Sequence, residues 1–480
     1  MTYAFTFDAS ACSGCKACQI ACKDKNNLPT GVLWRRVFEV SGGSWTNIAA
    51  DGARLGVWQT DVFAYNLSIA CNHCVHPKCA GVCPTDAYIV RPDGIVYIDE
   101  SKCMGCGYCA WACPYAAPKY NPDLRHMTKC NFCFDNLDAG LPPACVAACP
   151  MRVLDYKEVS DERTESNYQA LWQKPAIEHP FPLPAFSRTE PHLAIKPHAA
   201  MHNGLAKAIS NREETQTRSA SRLSWQATPG RAQSKNFVSF VSFAVNGFDE
   251  LPLVIFTLAA QTAAGMAVFS LFSGPLSLLT LAILGGLISL GGLASLLHLG
   301  TPLNAWRAVN HLKKSWLSRE ILMFGLFGGC WLVALVLPGM GKLPLALTGL
   351  GLVYSMAQVY RLRAAPAWNS WRTQAAFFLS AGVLGLTGVA FGTGMAEVWF
   401  PLWALLAVEA FLILLGDGPA HETACKIRAV CLALAVVGVG LLPVVPEAAR
   451  MWLSFPIILL IFAEEALGRW LFYEMRQPAL

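Results

Sequence analysis

Cys103-Met-Gly-Cys106-Gly-Tyr-Cys109-Ala-Trp-Ala-Cys113-Pro114 packs three thiols into seven residues and sets a fourth beyond a three-residue gap. Thiolates at that spacing can take three corners of a cubane iron-sulfur cluster, while the fourth ligates a neighbouring cluster, so one such run implies a second. The chemistry is electron transfer. Four runs are present: Cys12, Cys15, Cys18, Cys22; Cys71, Cys74, Cys79, Cys83; the run above; and Cys130, Cys133, Cys145, Cys149. Three end in Cys-Pro, at Pro84, Pro114 and Pro150, and the first ends in Cys22-Lys23. With sixteen of nineteen cysteines used as iron ligands, the expectation is four [4Fe-4S] clusters. A disulfide framework is set aside because no secretory signal precedes the cysteines, and structural zinc because zinc ribbons use pairs of C-x2-C rather than triplets with a trailing fourth.

Which cysteines share a cluster follows from applying this swap to nested runs, first with fourth and second with third. That groups Cys12, Cys15 and Cys18 with Cys149; Cys130, Cys133 and Cys145 with Cys22; Cys71, Cys74 and Cys79 with Cys113; and Cys103, Cys106 and Cys109 with Cys83. Pairing adjacent runs would break the continuity of the middle two, which only residues 84–102 separate.

Such loops need a scaffold. Residues 1–156 contain short alternating segments, Tyr3-Ala-Phe-Thr-Phe7 and Gly94-Ile-Val-Tyr-Ile98, that lead into two of the runs and read as strands. The expected fold is α+β and ferredoxin-like, two double-cluster units in which a small sheet and short helices wrap the metal. Residues 157–236 turn rich in Pro, Ser, Arg and Gln, including His179-Pro-Phe-Pro-Leu-Pro184, and read as an extension and flexible linker.

The chain is 54% hydrophobic and 14% charged, against a typical charged share of about 25%, which puts part of it in lipid. A net charge of +5 spread through loops gives no reason to invoke nucleic acid. Residues 237–480 read as an all-α polytopic membrane domain, since spans of about 20 apolar residues recur about eight times. The candidates are Leu251–Phe272, Leu276–His298, Glu320–Leu337, Leu343–Leu362, Gln374–Gly394, Phe400–Gly416, Ile427–Val445 and Trp452–Phe472. Trp306, Trp316, Trp368, Trp371, Trp399, Trp452 and Trp470 fall near span ends as interfacial anchors.

Ionisable groups within spans are functional candidates by default: His298, Glu320, Glu409, Glu464, Glu465 and Arg469. Haem b needs two axial ligands on facing helices, and His298 is the one histidine inside a predicted span, so no haem b is expected. A quinone remains as redox partner. Its two-electron, two-proton chemistry needs a titratable group near the interface, which a histidine with a reference pKa of about 6.5 supplies. A histidine at a helix end also has a purely anchoring reading.

These residues resemble the dimethyl sulfoxide reductase family. Residues 1–156 are similar to its four-cluster electron-transfer subunit in Cys12-Ser-Gly-Cys-Lys-Ala-Cys-Gln-Ile-Ala-Cys-Lys23, Cys71-Asn-His-Cys74, Cys113-Pro-Tyr-Ala-Ala-Pro118 and His126-Met-Thr-Lys-Cys130. Leu251-Pro-Leu-Val-Ile-Phe-Thr257, Leu297-His-Leu-Gly-Thr-Pro302, Ser318-Arg-Glu-Ile321 and Gly468-Arg-Trp-Leu-Phe-Tyr473 resemble its eight-helix anchor subunit. Family members usually keep these as two polypeptides, and here they run on as one. The resemblance implies a separate catalytic subunit carrying molybdopterin, with His298 as the leading quinol ligand and Glu320 and Arg307 as further candidates. Menaquinone or ubiquinone would be the exchangeable substrate, and the reaction that of an S-oxide or N-oxide reductase or a sulfite dehydrogenase. A polysulfide-reductase-like or ion-translocating respiratory complex is the alternative, and a transporter or a cluster-loss redox sensor lies further off.

With an even number of spans, the cluster domain and the C-terminus share one side with the loops after spans two, four and six. Those segments hold Arg307, Lys313, Lys314, Arg319, Arg361, Arg363, Arg372, Lys426, Arg428, Arg469 and Arg476, whereas the opposite loops hold Lys342 and Arg450. Basic short loops stay inside, so the expectation is a bacterial inner membrane protein with its iron-sulfur domain in the cytoplasm.

Overall fold

The chain folds as two compact units, Met1–Ala227 and Thr228–Gln477. The structure is a computed structural model and describes residues 2–42, 45–48, 57–60, 62–159, 183, 189–202, 251–272, 276–393, 398–414 and 422–474.

The first unit is built on β1 (Thr2–Asp8), whose Phe5 and Phe7 are almost fully buried. It is the middle strand of three. On one side β10 (Leu154–Val159) pairs antiparallel with Phe5 opposite Tyr156, and on the other β11 (Leu193–Lys196) pairs parallel with Phe5 opposite Leu193. A strand flanked on both edges and covered on both faces reads as a near-continuous apolar run, as Tyr3-Ala-Phe-Thr-Phe7 does. Four antiparallel pairs surround it: β2 (Arg36–Gly42) with β5 (Phe63–Ile69), β3 (Trp45–Ile48) with β4 (Val57–Thr60), β6 (Tyr88–Val90) with β7 (Val96–Ile98), and β8 (Lys119–Asn121) with β9 (His126–Thr128). The short helices are α1 (Ala17–Lys25), α2 (Lys78–Val82), α3 (Tyr108–Ala112), α4 (Phe134–Asp138), α5 (Ala144–Ala147) and α6 (Ala199–His202). The unit is the α+β, ferredoxin-like fold expected. Strand β11 and helix α6 lie within 157–236, so part of that segment adds structure to the sheet instead of linking; residues 203–236 fall outside the described residues.

The second unit contains α7 (Leu251–Phe269), α8 (Leu278–Leu297), a 3-10 helix (Pro302–His311), α9 (Trp316–Val336), α10 (Pro338–Val359), α11 (Trp371–Thr393), α12 (Trp399–Leu414), α13 (Glu422–Leu441) and α14 (Glu447–Glu474). Among the described residues eight α-helices thus stand where eight spans are expected, and five are long and apolar enough to cross a bilayer. The other three carry prolines at their starts or interior, are shorter, or bear several charges. Helix α9 starts four residues before the predicted span. The hydroxyl of Ser315 caps it by accepting from Ser318 N at 3.4 Å, and apolar periodicity does not register a polar cap. Leucines and phenylalanines stand out from the helices, Leu278, Leu297 and Phe400 being at least 71% exposed, as a lipid-facing surface requires.

Helix α7 is the most enclosed, with Ala263, Ala264, Met266 and Ala267 at most 1% exposed. Gly265 on α7 and Gly385 on α11 sit so close that a Cβ on either would land in the backbone of the other helix. Small residues are what permit such an approach. One expected anchor moves: Trp368 is fully buried, stacked on Phe472 at 5.1 Å and donating its indole N–H to Phe472 O at 2.8 Å. A tryptophan beside a span end satisfies an anchor pattern and a core position equally well. Trp306, Trp371 and Trp452 are exposed, as an anchor needs.

Candidate iron-sulfur sites and quinone site

The first cysteine of every run is followed, two residues on, by a residue of left-handed backbone: Gly14 (φ 69°), His73 (φ 43°), Gly105 (φ 74°) and Phe132 (φ 62°). That conformation reverses the direction of the backbone and points amide N–H groups at the sulfur just passed. Gly105 N lies 3.4 Å from Cys103 Sγ and Phe132 N 3.4 Å from Cys130 Sγ, and the Gly14 amide lies against Cys12 in the same way. The following cysteines then sit on short helices, Cys18 and Cys22 on α1, Cys79 on α2, Cys109 on α3 and Cys145 on α5.

All sixteen cysteines are free thiols in four groups. Cys71, Cys74, Cys79 and Cys113 line one cavity, and Cys83, Cys103, Cys106 and Cys109 another. Cys12 has Cys18, Cys149 and Cys15 as its electrostatic neighbours, and Cys22 has Cys145 and Cys133. The groups follow one another in a line. Cys18 also faces Cys145, Cys130 faces both Cys22 and Cys71, and Tyr88 is set among Cys109, Cys79 and Cys83.

Burial pushes the Cys22 and Cys74 thiols up to about 12 and Cys113 to about 11, neighbouring thiols adding to the effect. Grouped by fours, held by amide N–H groups and, apart from the exposed Cys15, wholly or partly withdrawn from water, these sulfurs become stable thiolates only against strong positive charge, which iron provides. The donor set fits iron-sulfur clusters. Two buried cations sit among the sulfurs. For Lys129, burial alone would lower the pKa, but Cys71, Cys79 and Cys130 more than offset it, and its Nζ lies 3.3 Å from Cys71 Sγ. Arg35 behaves likewise beside Cys145 and Cys130. His73 is held well below its usual range by burial, with Lys129 adding to the effect; its neutral Nδ1 accepts from Val96 N at 3.0 Å. His73 and Lys129 fall inside Cys71-Asn-His-Cys74 and His126-Met-Thr-Lys-Cys130, two of the motifs that carry the resemblance, whereas Arg35 lies outside every motif and has no sequence signal.

In the second unit, His298 caps the C-terminal end of α8 and its Nδ1 donates to Ser295 O at 2.8 Å, which leaves Nε2 as the acceptor. Glu320 is the fifth residue of α9, just past its first turn, 4% exposed, with Tyr360 and Tyr473 in its electrostatic surroundings. Arg307 lies on the 3-10 helix between them, its guanidinium 5.1 Å from the Trp306 ring centroid. The three stand on successive elements; among the described residues no hydrogen bond or ion pair joins them directly.

Glu409, Glu464 and Glu465 bring their carboxylates within 4.8 Å of one another. Arg428 bridges two of them, 2.7 Å to Glu464 and 2.9 Å to Glu409, while Ser380 donates to Glu465 at 2.7 Å. Arg469 donates to Gln261 at 2.8 Å and to Ser380 at 3.2 Å. Polar side chains from α7, α11, α12, α13 and α14 thus meet inside the unit. Arg428, read from the sequence as a loop residue, is the ion-pair partner that keeps two of the carboxylates paired.

A 4Fe-4S dicluster domain model matches residues 62–159, and the DMSO reductase anchor subunit (DmsC) model matches residues 245–415. One chain of the anaerobic dimethyl sulfoxide reductase of Haemophilus influenzae is 45% identical over 195 residues, 41% of the present sequence and 89% of its own length. One chain of the polysulfide reductase of Wolinella succinogenes is 38% identical over 176 residues, 36% of the present sequence and 85% of its own. One subunit of the tetrathionate reductase of Salmonella typhimurium is 37% identical over 147 residues, 31% and 54% respectively. With cluster-ready cysteines in one unit, apolar helices in the other, and both halves matched, this protein belongs to the dimethyl sulfoxide reductase family as an iron-sulfur electron-transfer subunit continuous with its membrane anchor.

Proposed function

We propose that the chain carries electrons between membrane quinone and a separate molybdopterin-containing catalytic subunit through four [4Fe-4S] clusters. The observation that carries the reading is the division of sixteen free cysteines into four groups of four along one line. The ligand sets are Cys12, Cys15, Cys18, Cys149; Cys22, Cys130, Cys133, Cys145; Cys71, Cys74, Cys79, Cys113; and Cys83, Cys103, Cys106, Cys109. Bound there, the clusters supply one-electron carriers. The protein's own share is to hold each sulfur as a thiolate, to exclude water, and to aim amide N–H groups at the cage.

At the membrane end, His298 Nε2 accepts a proton from quinol as the electrons leave, and Glu320 and Arg307 complete the quinone site; menaquinone or ubiquinone fills it. The iron-sulfur unit faces the cytoplasm of a bacterial inner membrane. Substrate chemistry, reduction of an S-oxide or N-oxide or oxidation of sulfite, belongs to the catalytic subunit. The polysulfide reductase relative supports a second reading in which the substrate is a string of sulfur atoms. Iron analysis tests the count. Purified protein should hold about sixteen irons, four per cubane, and about eight would remove two clusters from the scheme.

A further inference from the structure

Arg35 and Lys129 are buried cations with no carboxylate on them among the described residues. Arg35 is 2% exposed, and its Nη1 donates to the Ser68 carbonyl at 3.1 Å and to the Ser68 hydroxyl at 3.2 Å. That hydroxyl lies 3.2 Å from Cys18 Sγ. Nε and Nη2 have no hydrogen-bond partner among the described residues, and the guanidinium lies 4.6 Å from the Phe5 ring centroid. Its main charged neighbours are sulfurs, Cys145, Cys130, Cys18 and Cys22, with His73, held in its neutral form, also close by. Lys129 is 3% exposed and donates to Cys71 Sγ at 3.3 Å, to Cys130 O at 3.0 Å and to Val96 O.

A guanidinium stays charged in any protein environment, and an unpaired buried charge is strongly destabilising. Arg35 therefore belongs to a state in which the sulfurs beside it carry net negative charge. Reduction adds one more electron to such a cage, and a fixed cation at short range in a low-dielectric interior favours that form. The two cations are unevenly placed. Arg35 stands mainly against the Cys22, Cys130, Cys133, Cys145 group, and Lys129 bonds into the Cys71, Cys74, Cys79, Cys113 group. The electrostatic surroundings of Cys103, Cys106 and Cys109 include Tyr88 but neither of these cations.

We propose that Arg35 and Lys129 are potential-setting residues that make the two inner clusters of the line more easily reduced than the cluster of the Cys83, Cys103, Cys106, Cys109 group. Electrons entering from the Cys83, Cys103, Cys106, Cys109 end settle on the inner pair and leave it as the next carrier draws on them. The inference rests on the four-cluster reading, and its test keeps the two apart.

The test is a redox titration followed by electron paramagnetic resonance on membranes containing the full complex, with iron content measured in parallel. In Arg35→Met, one cluster should lose at least tenfold in its reduced-to-oxidised ratio at fixed potential, a fall in midpoint of about 59 mV or more for one electron. Arg35→Lys, which keeps the charge, should recover most of that shift. Lys129→Met should move a different midpoint in the same direction. Full iron content with all midpoints unchanged overturns the inference and leaves the cluster reading standing. An equal shift in Arg35→Met and Arg35→Lys, or loss of iron in both, assigns Arg35 to packing or assembly and overturns it too. An iron count of about half in the unmodified protein is the outcome that fails the cluster reading itself.

Discussion

His73 and Phe132 hold, without being glycine, the backbone shape that Gly14 and Gly105 adopt in the equivalent turns. A left-handed conformation costs such residues roughly 1–2 kcal/mol each, so local interactions must offset it. Phe132 stacks on Phe5 with ring centroids 4.0 Å apart, and His73 accepts the Val96 amide hydrogen. The cysteine spacing announces all four turns, but the residue inside each turn does not; glycine shows itself, whereas histidine and phenylalanine look like ordinary core residues until the fold supplies their partners. At the other end of the electron path, His298 is expected to act through Nε2, since Nδ1 is engaged with Ser295 O. His298→Ala should lower quinol-driven turnover at least a hundredfold, the low end of what a positioned acid-base group contributes, while a soluble dye still reduces the clusters. Unchanged quinol kinetics would return the residue to a helix-end anchor.

Helices α7 and α11 meet backbone to backbone, and the contact depends on two glycines one opposite the other. Gly265→Leu puts a branched side chain where the partner backbone already lies, which should cost about 3 kcal/mol or more, the upper end of overpacking effects. The check is thermal unfolding of the detergent-solubilised protein, with Gly325→Leu as the comparison because a Cβ there meets nothing within 4 Å. If both changes lower the transition equally, the close crossing is not a stabilising contact. At this scale the helices themselves were legible from the run lengths of apolar residues. Which helix lies at the centre was not: α7 and α8 are similarly apolar, yet one is enclosed and the other faces outward. Hydropathy registers transfer from water, and lipid and protein interior look alike on that measure. Buried charge was legible as single residues, Glu409, Glu464, Glu465 and Arg469, but their assembly with Arg428, Ser380 and Gln261 required the packing of five helices.

For the whole molecule, the distribution of basic residues sets the expected orientation. Short connections and the helix ends beside them carry Arg307, Lys313, Lys314, Arg319, Arg361, Arg363 and Arg372 on one expected side, and Lys342 and Arg450 on the other. A C-terminal alkaline phosphatase fusion should therefore be inactive and a C-terminal fluorescent reporter bright; the reverse pattern would turn the molecule over. Strand β1 bears on a different question, that of time. It is made first, but its neighbours β10 and β11 lie some 150 and 190 positions later, and α1 waits likewise for α5. The hairpins β6–β7 and β8–β9 close within a dozen residues of where they start. On a ribosome the middle of this unit can fold while its first strand still has no partner, and closing so long a loop comes late because its entropy must be met before any contact rewards it. The expected order of maturation therefore runs from the inside outward, with β1 sealed only once β10 and β11 arrive.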